Sequence, residues 1–436
     1  MASSPDGYGL VRSYILSYSV LGDPDPTKIR LGLFAASPVY YQTPLYQRLA
    51  ADPRIDFTAI FASDQGARRP CENEYAKAVE WGVDPLAGYT SIFLSRASTN
   101  PIAGTTFSLR DYDIAPLIWR SDFEVLWLHG YHTVTHVLAA ITQKAKHLPL
   151  LYREEQTLLT PRPRWKTALK HVGVRALLHG SYGLFIGTEN RRWFERWGMP
   201  RARLFHVPYA ADGTTLMASA PVSRDEARAS FGISPDGGPV VAVVGRLMAK
   251  KQPLLVLDAF ARTREQHPCT LLIAGSGAYE DALRERVATN GIRDVVFAGF
   301  LDQRQIGRAY RAADVLLLAS AYDETWGLVV NEAMSFGVPP VVSDRVGCGQ
   351  DLVLPGETGF RFRHDDPDEF VDRLLCLVAD ERLRSTMGER AAKHVRSWNY
   401  EAATAGVLAA VHASVGEARW QKAEREHAQA QSAGSR

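Results

Sequence analysis

Short apolar runs bounded by polar residues recur along this chain, each followed by a stretch long enough for a helix. Residues 29–36, 56–62, 124–128, 148–152, 183–188, 240–244, 270–274, 295–298, 314–320 and 341–343 have this character. Continuous apolar runs of this length are strands buried on both faces, and strands that alternate with helices pair in parallel. The pattern predicts an α/β chain built on doubly wound sheets. With 436 residues there is chain enough for two domains, each with its own core. A Pro-containing segment, 207–212, separates the halves and is the predicted hinge. Residues 1–28 read as a flexible extension, and the Ala-, Gln- and Glu-rich stretch 423–436 as a frayed tail.

Composition removes several classes of function. Fifty basic and 48 acidic residues give a formal net charge of +2, without the basic excess of a nucleic-acid binder. No apolar run approaches the roughly 20 residues that span a bilayer. Cys71, Cys269, Cys348 and Cys376 are scattered without metal-ligand or redox spacing, which predicts free thiols in a reducing cytoplasm. The basic stretch 161–175, with Trp165 among Arg162, Arg164, Lys166, Lys170 and Arg175, reads first as a solvated face and second as a membrane contact.

The stretch with the most chemistry is Glu324 to Glu332 (ETWGLVVNE). Two carboxylates stand eight positions apart around Gly327, after the strand 314–320. A helix opening near Gly327 would carry Glu332 one turn in. A helix N-terminus offers backbone N–H groups without intrahelical partners and a positive dipole end, so anionic or hydroxyl-rich ligands are favoured there. Two Glu at this spacing also occur in ordinary helical proteins; the flanking Ala333-Met334-Ser335-Phe336-Gly337 and the Pro340-Val341-Val342 that follow distinguish this one.

This segment resembles the E-x7-E motif of the retaining family 4 (group 1) glycosyltransferases. Three further motifs agree with it in order. Gly245-Arg246-Leu247, followed by Lys250 and Lys251, resembles the family's G-R-L-x-x-x-K-G loop, with Gln252 in place of its last Gly. Val207-Pro208-Tyr209-Ala210-Ala211-Asp212 resembles its interdomain V-P-x-G-V-D, without the Gly. Gly356, Thr358, Gly359 and Phe360 match its late turn. The resemblance implies a GT-B fold, two doubly wound Rossmann-like domains facing across a cleft. Residues 29–210 would bind the acceptor and 211–397 the nucleotide sugar, with a helix at 398–422 packing back on the first domain.

By the same resemblance Glu324 lies near the transferred sugar and Glu332 accepts hydrogen bonds from the nucleotide ribose. Arg246 and Lys251 stand beside the donor diphosphate, whose negative charge grows as the glycosidic bond breaks. Backbone N–H groups of Gly327, Leu328 and Val329 hold sugar hydroxyls or phosphate, Gly275 makes a close backbone turn near the donor, and the base lies near Phe300. His129, at the end of the strand 124–128, approaches the transferred sugar. The loop after the first strand departs from the family: Ser37 stands where a sub-group has His, and Tyr41 and Gln42 follow it as polar contacts or as packing.

The implied reaction is retaining, metal-independent glycosyl transfer from a UDP- or GDP-linked sugar, with no separate cofactor. The acceptor is a small natural product or thiol metabolite, or a glycan or lipid-linked acceptor. A nucleotide-sugar epimerase or hydrolase, and a non-catalytic nucleotide-binding regulator, are the alternatives. Asp111 and Asp113 form a D-x-D, read here as a solvated turn or helix cap rather than a metal site. Gly275-Ser276-Gly277 lacks the third glycine of a dinucleotide fingerprint, which disfavours a dehydrogenase.

Overall fold

A computed structural model describes residues 25–67, 84–99, 109–160, 172–235 and 237–434. Residues 1–24 of the extension 1–28, most of the basic stretch 161–175 and Cys71 lie outside them. The described residues form two compact units. One is drawn from Met1–Glu72, Asp84–Arg153 and Val411–Arg436, the other from Glu154–Ala410.

The first unit holds β1 (Ile29–Ala35), β2 (Ile55–Phe61), β3 (Thr90–Phe93), β4 (Val125–His129) and β5 (Leu150–Arg153). They pair in parallel in the order β3-β2-β1-β4-β5. All seven residues of β1 are buried, as the continuous apolar run requires of a central strand. The order reverses between β1 and β4, so their carboxyl ends open onto a crevice.

Of the stretch 423–436, predicted to fray, residues 423–434 lie in a helix spanning Glu417–Gly434. Burial of Trp420 and Ala423 holds it in place. Arg419 adds hydrogen bonds to Glu124 at 2.7 and 2.8 Å and to the Lys28 carbonyl at 2.6 Å. The Arg54 guanidinium lies 4.7 Å from the centre of the Trp420 ring.

In the second unit, β6 (Tyr182–Phe185) and β7 (Leu204–His206) pair in parallel. A separate parallel sheet contains β8 (Val240–Val244), β9 (Thr270–Ala274), β10 (Val295–Gly299), β11 (Val315–Leu318), β12 (Pro340–Ser343) and β13 (Phe360–Phe362). Its order is β10-β9-β8-β11-β12-β13. The helices on it start where the sequence supplies caps. Ser223 and Glu226 form a capping box, Pro253 opens the helix Pro253–Gln266, and Asp366 and Asp380 cap the two that follow β13. No described helix is long and apolar enough to cross a membrane.

Val207–Ala210 are buried. Asp351 accepts from the Thr188 amide and hydroxyl at 2.8 and 2.6 Å, and Asn331 donates to the Tyr209 carbonyl at 3.2 Å.

Candidate active site

The six-stranded sheet reverses its order between β8 and β11. Ligands of open α/β sheets bind outside the carboxyl ends of the strands at such a point. The loops leaving β8 and β11 carry Lys251 and Glu324, and the sheet brings the two side chains together. Lys251 Nζ is 3.4 Å from Glu324 Oε2, and Ser320 Oγ donates to the same oxygen at 2.9 Å. Burial disfavours the Glu324 charge, but the lysine charges of Lys251 and Lys250 and the Ser320 bond outweigh it. Its carboxyl is held below the usual range, so Glu324 is ionised at neutral pH.

Lys250 has a different task. Its ammonium donates to the Asp323 carbonyl at 2.9 Å, and its own carbonyl accepts from Ala321 N at 2.7 Å. It ties the loop after β8 to the loop after β11. The departure at Gln252 also has a reading: the residue sits at φ 49°, a left-handed conformation most cheaply met by glycine.

The helix Leu328–Ser335 opens at Gly327, which takes φ +94°. A Cβ there would lie 2.8 Å from a Leu318 methyl and 3.0 Å from a Val346 methyl. Conformation and space both require glycine. The Val330 amide donates to the Gly327 carbonyl at 2.9 Å, and the N–H groups of Leu328 and Val329 before it have no preceding helical turn to donate to. Glu332, one turn in, is 7% exposed, and its Oε2 accepts a 2.5 Å hydrogen bond from the hydroxyl of buried Tyr310. Burial pushes the Glu332 carboxyl up to about 7, against the opposing pull of Tyr310 and Lys251.

Arg246 is exposed on the loop after β8, and Phe300 is 44% exposed just beyond β10. Gly275 has a packing reason to be glycine: a Cβ there would lie 1.9 Å from the Gly245 carbonyl oxygen. Gly347 is equally confined, 1.9 Å from the Thr325 carbonyl oxygen, and its amide donates to the Glu324 carbonyl at 3.0 Å. Gly347→Ala is therefore expected to destabilise the fold by about 1–3 kcal/mol or more by overpacking and to displace the Glu324 loop. An unchanged denaturant midpoint would refute it.

His129 ends β4 in the first unit, half-buried, its ring stacked on Trp127 at 6.5 Å. Its carbonyl accepts a 3.0 Å bond from His136 Nε2. That fixes the proton of His136 on Nε2, so Nδ1 accepts from the Thr133 hydroxyl at 2.6 Å. Burial drives the His136 pKa down to about 3, and His136 is a neutral structural residue. Asp111 proves to be a buried loop organiser rather than part of a solvated turn, accepting from the amides of Arg96 and Asp113. Asp113 precedes the helix Ile114–Arg120 without a side-chain cap bond and accepts from Ser95.

Sequence reasoning missed Ser320, Tyr310, Trp326 and Asn331. Trp326 stacks on Tyr209 at 6.0 Å and donates through Nε1 to Asn331 at 2.8 Å. Asn331 in turn holds the Tyr209 carbonyl. The helix that carries Glu332 is thus anchored to the segment 207–212. Asn331 lies inside the motif and was legible as a polar residue on a buried helix. Tyr310 carried no local signal.

Residues 223–394 match the family model described as glycosyl transferases group 1. A D-inositol 3-phosphate glycosyltransferase of Nocardia farcinica is 34% identical over 238 residues, covering 52% of this chain and 51% of that protein. The protein of the same description from Corynebacterium urealyticum is 32% identical over 293 residues, covering 65% and 64%. The chain spans about half the length of the first curated relatives it matches. Among solved structures, HepE of Anabaena in complex with UDP has a TM-score of 0.69 at 17% identity, covering 88% of this chain and 100% of that one. A glycosyltransferase of Rickettsia africae has 0.68 at 11% identity, covering 89% and 99%. The strand order and these matches agree on a GT-B fold, within which residues 223–394 match the group 1 glycosyl transferases.

Proposed function

We propose that this chain is a retaining glycosyltransferase that moves a sugar from a nucleoside-diphosphate sugar to a small hydroxylated acceptor. The observation that carries the reading is the meeting of Lys251 with Glu324 at the carboxyl ends of β8 and β11, above a helix that holds Glu332. Lys251 and Arg246 supply positive charge to a departing diphosphate. Glu324, ionised and held by Ser320 and Lys251, orients and electrostatically supports the sugar. The N–H groups of Gly327, Leu328 and Val329 take sugar hydroxyls or phosphate, and Glu332 takes the ribose. Gly275 lies in the turn beside the donor, and Phe300 near the base. We assign His129 to the transferred sugar on the family resemblance alone.

In the proposed step the bond from the anomeric carbon to the diphosphate oxygen breaks. The acceptor oxygen bonds to the same face of that carbon, and its proton passes to the departing phosphate. Glu324 is not the nucleophile, and no resident metal or cofactor takes part. UDP in HepE supports a UDP-linked donor, and the relatives' description supports a polyol phosphate as acceptor class.

Calorimetric titration with UDP, GDP and ADP tests the reading. One diphosphate is expected to bind selectively, and Glu332→Ala is expected to weaken it by about 1.5–3 kcal/mol, the worth of hydrogen bonds to an ionised carboxylate. Equal affinity in the variant would remove Glu332 from the site. No binding by any of the three would remove the nucleotide reading itself.

A further inference from the structure

We infer that Tyr310 is a positioning residue of the nucleotide site, holding Glu332 so that its second carboxylate oxygen meets the ribose hydroxyls. The inference rests on the nucleotide reading above and adds a residue that no motif of the chain contains. Tyr310 stands on the helix Ile306–Ala312, and its hydroxyl donates to Glu332 Oε2 at 2.5 Å. This is the hydrogen-bond partner of the Glu332 side chain among the described residues. Oε2 is occupied, so Oε1 is the oxygen left for a ligand.

Both partners are rigidly seated. The Tyr310 side chain is fully buried, and its ring lies 5.7 Å from that of Phe336 just past the end of the Glu332 helix. Gly307 packs the same helix against the Leu216 carbonyl, with no room there for a side chain. A carboxylate carries two rotamer-dependent oxygens, and an unsupported one would sample several orientations. A donor fixed by packing selects one and removes that ordering cost from ligand binding.

The bond also has an electrostatic consequence. The titratable groups that bear on Glu332 are Tyr310 from its own helix and Lys251 from the turn after β8, and both favour the ionised form against burial. An ionised carboxylate is the stronger acceptor for ribose hydroxyls. Tyr310 therefore both aims the carboxylate and helps to keep it charged.

The test is Tyr310→Phe, which keeps the ring and removes only the hydroxyl. The best binder among UDP, GDP and ADP is titrated beside its 2′,3′-dideoxy counterpart, with wild type and variant, from pH 6 to pH 8.5. The wild type should prefer the ribonucleotide. The variant should lose that preference by about three- to tenfold, the usual worth of one hydrogen bond, with dideoxynucleotide affinity unchanged. Its loss of ribonucleotide affinity on acidification should begin at higher pH than in wild type. Full retention of preference and pH midpoint would overturn the inference, as would an equal loss for both nucleotides. A wild type that binds a diphosphate without preferring ribose would overturn the assignment of Glu332 and this inference with it. Binding of none would overturn the nucleotide reading first. Glu332→Gln, which still accepts from Tyr310 but does not titrate, should keep part of the preference and lose the pH dependence of that preference, the terminal phosphate titrating alike in both nucleotides. A preference that still varies with pH would overturn the inference without relying on the Phe variant.

Discussion

Replacing Lys251 with alanine is expected to lower kcat by about 10²–10³, the scale of removing one preorganised group from developing negative charge. In the proposed reaction the donor diphosphate gains charge as the anomeric bond lengthens, so an ammonium beside it would bind the transition state more tightly than the ground state. Lys251 is suited to this by position. It sits where the loop after β8 meets the loop after β11, 3.4 Å from Glu324, while Lys250 is committed to the Asp323 carbonyl. KM for the donor should rise much less than kcat falls. Lys251→Ala also removes a positive charge that keeps Glu324 ionised, so the acid limb of the rate profile should move to higher pH. Steady-state kinetics with varied donor decides the matter. A rise in KM at unchanged kcat would mean that Lys251 contributes only ground-state binding.

Glu332→Gln should stabilise the nucleotide-free protein at pH 8 while weakening nucleotide binding. The folded carboxyl titrates near 7, above the ordinary value of 4.5, because burial opposes its charge. Between those values the folded state holds a proton that the unfolded state has released. Stability therefore falls as pH rises through that window, and the loss is complete above about pH 7. A shift from 4.5 to about 7 corresponds to about 3 kcal/mol. The amide carries no such penalty and still accepts from Tyr310. Its melting temperature should match wild type near pH 4.5 and exceed it at pH 8. A variant less stable at pH 8, or one with the wild-type pH profile, would show that the ionised carboxylate is comfortably solvated in the fold. A site residue that costs stability at neutral pH is the usual mark of a group held for a ligand.

The local features of the site were legible in advance because they are written in consecutive residues. The apolar run at 314–320, Gly327 and the two glutamates lie within one strand, loop and helix, and the structure builds that unit in order. The basic loop after β8 was legible for the same reason. Its atypical Gln252 shows what the pattern's glycine is for, since the position needs a left-handed backbone. Gly275 was legible as a close approach, but its nearest neighbour is the Gly245 carbonyl, which no local rule could name.

What this sequence determined by itself is the alternation of strands and helices, the parallel pairing it forces, and the residue types offered at each strand end. These follow from periodicity and from capping, which act over a few residues. Tertiary structure alone decided which strand ends are neighbours. The order β10-β9-β8-β11-β12-β13 puts Lys251 beside Glu324 across 73 positions of chain, and Tyr310 against Glu332 across 22. It also decided that Thr188 meets Asp351 and that Asn331 meets Tyr209, pairs more than a hundred residues apart. The physical reason is the same in each case. Burial leaves a polar group only the partners that packing brings within reach, and packing is a property of the whole fold.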